Sequence, residues 1–573
     1  MAAVVPMPNT EMTLLGRIYQ PLTDFSVLNA AKEQMTKAID DGLAAQKSQY
    51  GTMYNDTAFS ASIFSLKTGE SLWQYHYEAP ALPKESFTKG SITEDSIYRI
   101  GSITKATTMY TWLVGLGEST FYDPITKYIP EFAAAEASYK NPIMSTNWSE
   151  VTIGALASQM SGIGRDFHLG DFATQSFGQP PIEVVVDNGF PPLANDTIVF
   201  CDSYGDIYPQ CTRAQFLQGI IDHPPVNPVW YTPTYSNLAY AILALAYESA
   251  TGVPFDKAVD DLFVNKLGMT STTSHVPQGD YDAVIPRNDS YALFTYDIGI
   301  QGPAGNQYTS TKDFRAWGHA IYTNKFLSAA ETRKWLMPVT STSRWTSSVG
   351  APWEIYRTAI TTNEVTNASR IVDAYTKGGN IGLYAASFGL VPDYEIGFST
   401  LSTGDHPGGQ ESPVRATMID IYYNAIEVAM KDQANGTFTG TYRGTSGLNS
   451  SVTLGVDEGP GVRVTSWISN GTDMINNVFW AANIKEYRLF PTDLSYEENG
   501  VRYHKYVLEF LFNEYGEEFR DTDFWSVYND YWVQTDSLMY NNLATDSWVV
   551  AFDKDGMVQS VECQALRAVL ERE

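Results

Sequence analysis

A serine and a lysine three residues apart are the first residues in this chain that could do chemistry. In Asp95-Ser-Ile-Tyr-Arg-Ile-Gly-Ser102-Ile-Thr-Lys105-Ala-Thr-Thr-Met-Tyr-Thr-Trp-Leu, a short strand runs into a helix that starts near Ser102. Residues at i and i+3 share a helix face, which brings the lysine amine beside the hydroxyl. A serine hydroxyl is a poor nucleophile until a neighbouring base activates it. The start of a helix also presents backbone N–H groups without helical partners, suited to a developing oxyanion. The implied chemistry is nucleophilic acyl transfer. Spacing alone is not selective, because Ser86-Phe-Thr-Lys89 repeats it and one or two matches arise by chance. A helix-capping serine explains Ser102 as well. Ser86 is set aside because Pro83 and Gly90 bracket it in a loop.

Two further stretches supply partners. Trp230-Tyr-Thr-Pro-Thr-Tyr235-Ser-Asn237 opens a strongly apolar helix. The bare Y-x-N pattern recurs at Tyr139, Tyr322, Tyr422 and Tyr540, so Tyr235 is distinguished only by Pro233 before it and the apolar helix after. Taken alone, a structural tyrosine is the simpler reading. Tyr375-Thr-Lys377-Gly378-Gly379-Asn380 reads as a strand where glycines let a substrate backbone approach and a lysine supplies fixed charge. Lys67-Thr68-Gly69 resembles it but sits at a hairpin turn. His406, in Gly404-Asp-His-Pro-Gly-Gly409, reads as a loop histidine rather than a base.

Other chemistries lack their motifs. There is no G-x-S-x-G, H-E-x-x-H, G-x-x-x-x-G-K or G-x-G-x-x-G, and the seven His are scattered. No metal site and no cofactor are therefore expected. With 65 acidic against 37 basic residues, the net charge of −28 repels a phosphate backbone, which excludes nucleic acid as a partner. No run approaches 18 apolar residues, so no membrane span is expected. Hydrophobic residues at 43% against 18% charged leave ample material for a core.

The N-terminus lacks a basic segment followed by an apolar one, which points to the cytoplasm. Eight N-x-S/T sequons, starting at Asn55, Asn147, Asn195, Asn288, Asn367, Asn435, Asn449 and Asn470, keep secretion with a removed signal as the alternative. Cys201 and Cys211 lie close together, where a disulfide is one option, and Cys563 is left over.

Several elements must hold these residues in place. Residues 1–55 form a helical lead-in, with helical spacing from Leu28 to Ala45. Phe59–Leu66 and Leu72–Tyr77 alternate as two strands around a tight turn. From 100 to 330 the pattern is mostly helical, with a Gly/Pro/Asp-rich lid or pocket wall over about 166–231. Ala374–Thr376, Leu383–Val391 and Ile396–Leu401 return to strand, followed by a helix over Ala416–Met430. Lys431–Gly436 reads as a polar breaker and domain boundary. This gives a catalytic domain over 56–432 and an antiparallel β domain over 437–573. Its expected strands are Phe438–Tyr442, Ser451–Val456, Gly461–Trp467, Val478–Trp480, Arg488–Pro491, Lys505–Phe510 and Trp548–Phe552.

Tyr98-Arg-Ile-Gly-Ser102-Ile-Thr-Lys105, Pro233-Thr-Tyr235-Ser-Asn237 and Lys377-Gly-Gly379 occur in an order and context that resembles the serine β-lactamase and penicillin-binding-protein superfamily, in its class C β-lactamase and esterase branch. Gly302-Pro-Ala-Gly305 with Thr309 and Asp313, and Trp353-Glu-Ile-Tyr-Arg357, are similar to fungal members with an extra C-terminal β domain. The resemblance implies an α/β fold, an antiparallel sheet flanked by helices plus an α subdomain. It implies that Ser102 is acylated, that Lys105 and Tyr235 share the proton work with Tyr235 the main base, and that Asn237 orients Lys105. A tyrosine ionises ordinarily near pH 10, so the ammonium groups of Lys105 and Lys377 would have to favour its phenolate. The N–H groups of Ser102 and Asn380 would form the oxyanion hole, with Gly378 and Gly379 lining the substrate strand. Lactamase members usually carry Thr or Ser where this chain has Gly378. That departure favours ester or thioester substrates, carried on CoA or a carrier protein or free, over penicillins. Peptidase or lactamase activity, biosynthetic cyclisation and a non-catalytic binding module are the alternatives.

Overall fold

The computed structural model describes all residues except 1–8, 11–14, 169–170, 174–179, 195–200, 202–207, 288–290, 364–367, 446, 448, 478–483, 513–531 and 533–534. It divides into two compact units. One comprises 34–357 and 373–419, the other 1–33, 358–372 and 420–573. The expected strand Val478–Trp480 and the sequons at Asn195, Asn288 and Asn367 lie outside the described residues in whole or in part.

One sheet has its strands in the order Ser71–Tyr77, Thr57–Ser65, Ile396–Gly404, Tyr384–Val391, Ala368–Ile381, Glu354–Asn363, Ser347–Val349 and Thr340–Ser341. From the first of these through Ala368–Ile381, each neighbouring pair is antiparallel. Thr57–Ser65 and Ile396–Gly404 are buried along their whole length. Both mix small hydroxyl residues with apolar ones, and neither reads as a strictly alternating pattern. The helix Thr311–Tyr322 covers part of the sheet. Its Phe314 and Trp317 stack on Phe388 at centroid distances of 4.9 and 4.8 Å. Phe64 fits there because Gly318 of that helix and Gly397 of the adjacent strand leave room; a Cβ on either would run into its ring.

Two helices carry the chemistry-bearing residues. Thr104–Leu116 is buried from Thr104 through Leu113. Leu238–Thr251 is buried on nearly all sides and ends at Gly252, whose φ of 72° is the left-handed conformation that closes a helix. A helix apolar all round belongs in the middle of a domain. Cys201 and Cys211 form a disulfide.

In the smaller unit, the strands Gly440–Gly444, Ser451–Gly455, Val462–Ser469, Ile484–Glu498, Val501–Phe512, Ser547–Phe552, Val558–Cys563 and Ala568–Arg572 pair in chain order. The first also pairs with the last, so the expected antiparallel β domain is a closed, eight-stranded up-and-down barrel. Tyr442, Val452, Trp467, Leu489, Leu508, Trp548, Val561 and Leu570 fill one face of its wall.

One expectation fails. The helix does not stop before Lys431–Gly436 but runs from Pro407 to Phe438. Met430, Ala434 and Phe438 are buried at four-residue spacing, and this apolar stripe outweighs the single Gly436. Polar composition marks an exposed face here, not a break.

Candidate active site

Ser102 lies in the single turn Gly101–Ile103 that leads into the helix Thr104–Leu116. Gly101 has a φ of 49°, and a Cβ there would collide with the backbone of Asn380. A Cβ on Gly379 would likewise collide with Ile100 O and Ser102 N. Two glycines thus let the strand Ala368–Ile381 lie directly against the serine turn, and no larger residue fits at either place. The backbone nitrogens of Ser102 and Asn380 both border this close approach.

Lys105 is fully buried. Its Nζ lies 3.0 Å from Ser102 Oγ, 2.6 Å from Asn237 Oδ1 and 2.7 Å from the carbonyl of Ala304. Tyr235 OH donates to Ser102 Oγ at 2.6 Å. Burial, then the like charge of Lys377, hold the Lys105 amine well below the ordinary lysine pKa, against a smaller upward pull from Asp166 and Glu354. Lys377 behaves differently. Burial works to lower it as well, but the Glu354 carboxylate, together with Tyr235 and Tyr356, outweighs that and raises it. Its Nζ donates to Glu354 Oε1 at 2.5 Å and to the carbonyl of Gly378 at 2.8 Å.

Of the residues singled out in the three motifs, Lys105 and Tyr235 bond Ser102 Oγ, Asn237 bonds Lys105, Lys377 Nζ lies 5.6 Å from the Tyr235 ring centre, and Gly379 and Asn380 pack against the turn that carries Ser102. The decoys fall elsewhere. Ser86 is buried and donates to the carbonyl of Pro286, while Lys89 pairs with Asp280. Lys67–Gly69 forms the hairpin turn after Thr57–Ser65. His406 stacks on Tyr54 at 4.1 Å and bonds Asp56.

Three residues of the site escape a reading of motifs. Asp166 accepts from Asn237 Nδ2 at 2.6 Å and fixes which way that amide points. Burial raises its pKa, although the bonds from Asn237 and Arg165 pull it down. Arg165 pairs with Asp166 at 3.2 Å and lies 4.7 Å from the Tyr235 ring centre. Glu354 is the third. Its only sequence signal was its place in Trp353–Arg357; the pairing with Lys377 depends on sheet register. A cavity of about 240 Å³ opens beside Ser102, walled by Leu293, Ile298, Ile381 and Ala304, with Asp166 and Asn237 as polar lining.

A nucleophile turn held against a strand of an antiparallel sheet, with lysine and tyrosine on the hydroxyl, defines the β-lactamase-like serine hydrolase class. The chain belongs to the Beta-lactamase family, whose profile matches residues 53–421. A second profile, Beta-lactamase-like-like, C-terminal domain, matches 430–573. A Beta-lactamase-like protein of Arthroderma benhamiae is 27% identical over 94% of this chain and 91% of its own length. A probable hydrolase of Cochliobolus lunatus is 24% identical over 78% of this chain and 74% of its own. Among solved structures, a class C β-lactamase aligns with a TM-score of 0.47 at 14% identity, covering 70% of this chain and 98% of its own.

Proposed function

We propose that this chain is a serine hydrolase or acyltransferase that works through an acyl-enzyme on Ser102, with a small-molecule ester or thioester as donor. The observation that carries the reading is the placement of Ser102 Oγ between Lys105 Nζ at 3.0 Å and Tyr235 OH at 2.6 Å. A neutral lysine amine has two N–H groups and one lone pair. With its N–H groups given to Asn237 and Ala304, the lone pair faces the serine hydroxyl. The burial that disfavours the ammonium supports Lys105, rather than Tyr235, as the group that takes the proton when Ser102 attacks. Tyr235, already donating to the same oxygen, then passes its proton to the leaving group. Water or another nucleophile then attacks the acyl-enzyme, giving its proton to the Tyr235 phenolate, while Lys105 returns a proton to the departing Ser102 Oγ, which restores both groups. The N–H groups of Ser102 and Asn380 are the proposed oxyanion donors. Of the two compartments considered, the Cys201–Cys211 disulfide favours an oxidising one.

The test is incubation with a fluorophosphonate probe and with p-nitrophenyl butyrate, followed by intact mass, beside Ser102→Ala and Ser86→Ala. The expected result is labelling and turnover that disappear only in Ser102→Ala. A folded wild type that neither labels nor turns over would overturn the reading.

A further inference from the structure

The cations of this site already have protein partners. Lys377 is 2% exposed and pairs with Glu354, Arg165 pairs with Asp166, and Lys105 spends its contacts on Ser102, Asn237 and Ala304. All three lie within 5.6 Å of the Tyr235 ring centre. The Lys377–Glu354 pair is two-sided. Glu354 Oε1 takes the Lys377 ammonium, and Oε2 accepts the backbone N–H of Gly378 at 3.0 Å. Glu354 keeps about a third of its side chain exposed while Lys377 has almost none. An incoming molecule therefore meets the carboxylate before it meets the ammonium.

We propose that Glu354 is a specificity-determining residue, an internal carboxylate that occupies Lys377 and restricts this site to acyl compounds whose leaving group carries no negative charge. The proposal rests on the acyl-enzyme reading above. If Tyr235 protonates the leaving group, that group departs on the Tyr235 side, where Lys377 and Glu354 lie. A carboxylate there has to displace Glu354 or sit beside it. Displacement strips Gly378 N–H of its acceptor and strands one carboxylate, and juxtaposition sets like charges against each other in a partly desolvated site. Gly378 provides no hydroxyl to hold a second anion in place. Uncharged esters and thioesters meet none of these obstacles.

The experiment compares 4-carbamoylphenyl butyrate with 4-carboxyphenyl butyrate on the full chain, two esters of like shape that differ in the charge of the leaving group, each kcat/KM being divided by that ester's uncatalysed hydrolysis rate because the carbamoyl phenol is also the more acidic. Wild type is expected to prefer the uncharged ester in kcat/KM by about tenfold or more. Glu354→Gln keeps the shape and removes the charge, which releases Lys377, and the preference is expected to collapse or reverse. Glu354→Ala serves in its place if that variant does not fold. Equal rates in wild type, or an unchanged ratio in the variant, would overturn the proposal while leaving the acyl-enzyme intact. No consumption of either ester and no acyl mass on Ser102 would instead overturn the hydrolase reading, and this specificity with it.

Discussion

Around Ser102, Lys105 is fully buried and each of its hydrogen-bonding positions meets an acceptor or the nucleophile. In the barrel, the 1%-exposed Glu509 on the strand Val501–Phe512 has no hydrogen-bond partner for either carboxyl oxygen among the described residues. Arg488 stands opposite it in register, but its guanidinium is spent on Glu486, Asp457 and the carbonyl of Pro460. Both groups are pushed towards neutrality by burial: Lys105 downwards, Glu509 up to about 8. The difference is what the protein does with the neutral form. At Ser102 the amine lies 3.0 Å from a hydroxyl, whereas Glu509 has no hydrogen-bond partner among the described residues. A shifted titration marks a reactive centre only where geometry supplies something for the proton to do.

The largest effect expected from that contrast is kinetic. Lys105→Met should lower kcat/KM by about a thousandfold, the middle of the range for a general base, while Glu509→Gln should leave turnover intact. Stability should separate them in the opposite sense. Lys105 has a depressed pKa in the folded protein, so over the window between that value and its unfolded one the unfolded chain binds more protons. Stability then rises with pH, and Lys105→Met should gain most in thermal unfolding on the acid side. A variant that lost both activity and stability at every pH would break the comparison.

Glu509 should titrate with the reverse sign. Its folded pKa of about 8 lies above the ordinary 4.5, so between those values the folded protein holds a proton that the unfolded chain has released. Stability should fall as pH rises through that window, by at most about 1.4 kcal/mol per pH unit. Glu509→Gln should flatten the slope and raise the melting temperature at pH 8 more than at pH 5. An unchanged slope in scanning calorimetry would mean that Glu509 finds a hydrogen-bond donor or a cation in solution that keeps it ionised.

A smaller effect sharpens the catalytic side. If Lys105 must be neutral to take the serine proton, kcat/KM rises with pH through the Lys105 pKa. Lys377 pushes that pKa down and Asp166 pulls it up. Lys377→Met should therefore move the acid limb of the pH–rate profile to higher pH, and Asp166→Asn should move it lower. Shifts in the same direction would show that both variants act by disordering the site rather than through charge.

These residues also mark what the chain reveals without a structure. Ser102 and Lys105 are legible because three residues on a helix fix their relation. The hairpin Thr57–Ser65 to Ser71–Tyr77 is legible because its turn is local. Glu354 and Lys377 meet because two strands are neighbours in a sheet, and Asp166 reaches Asn237 from a loop 71 positions away. No spacing rule contains either fact. Barrel closure is hidden for a related reason: Val558–Cys563 and Ala568–Arg572 are short, with alternate residues facing solvent. They become strands by pairing at both edges.

Gly436 gives the smallest test and the one that probes why the helix Pro407–Phe438 was not legible at its end. Lys431–Gly436 looks like a breaker by composition, yet Thr437 Oγ1 bonds the carbonyl of Gln433, and Thr439 N bonds that of Asn435. Gly436 is exposed inside this helix, and a Cβ built on it meets nothing within 4 Å. Glycine there costs helix stability only through its freedom in the unfolded chain. Gly436→Ala should therefore raise stability by about 0.5–1 kcal/mol without altering kcat/KM on any ester. A loss of stability would mean that the chain bends at this glycine in solution, and that the polar run is a break after all. A gain in stability would assign the run to the exposed face of a continuous helix whose Met430, Ala434 and Phe438 stripe holds it in place.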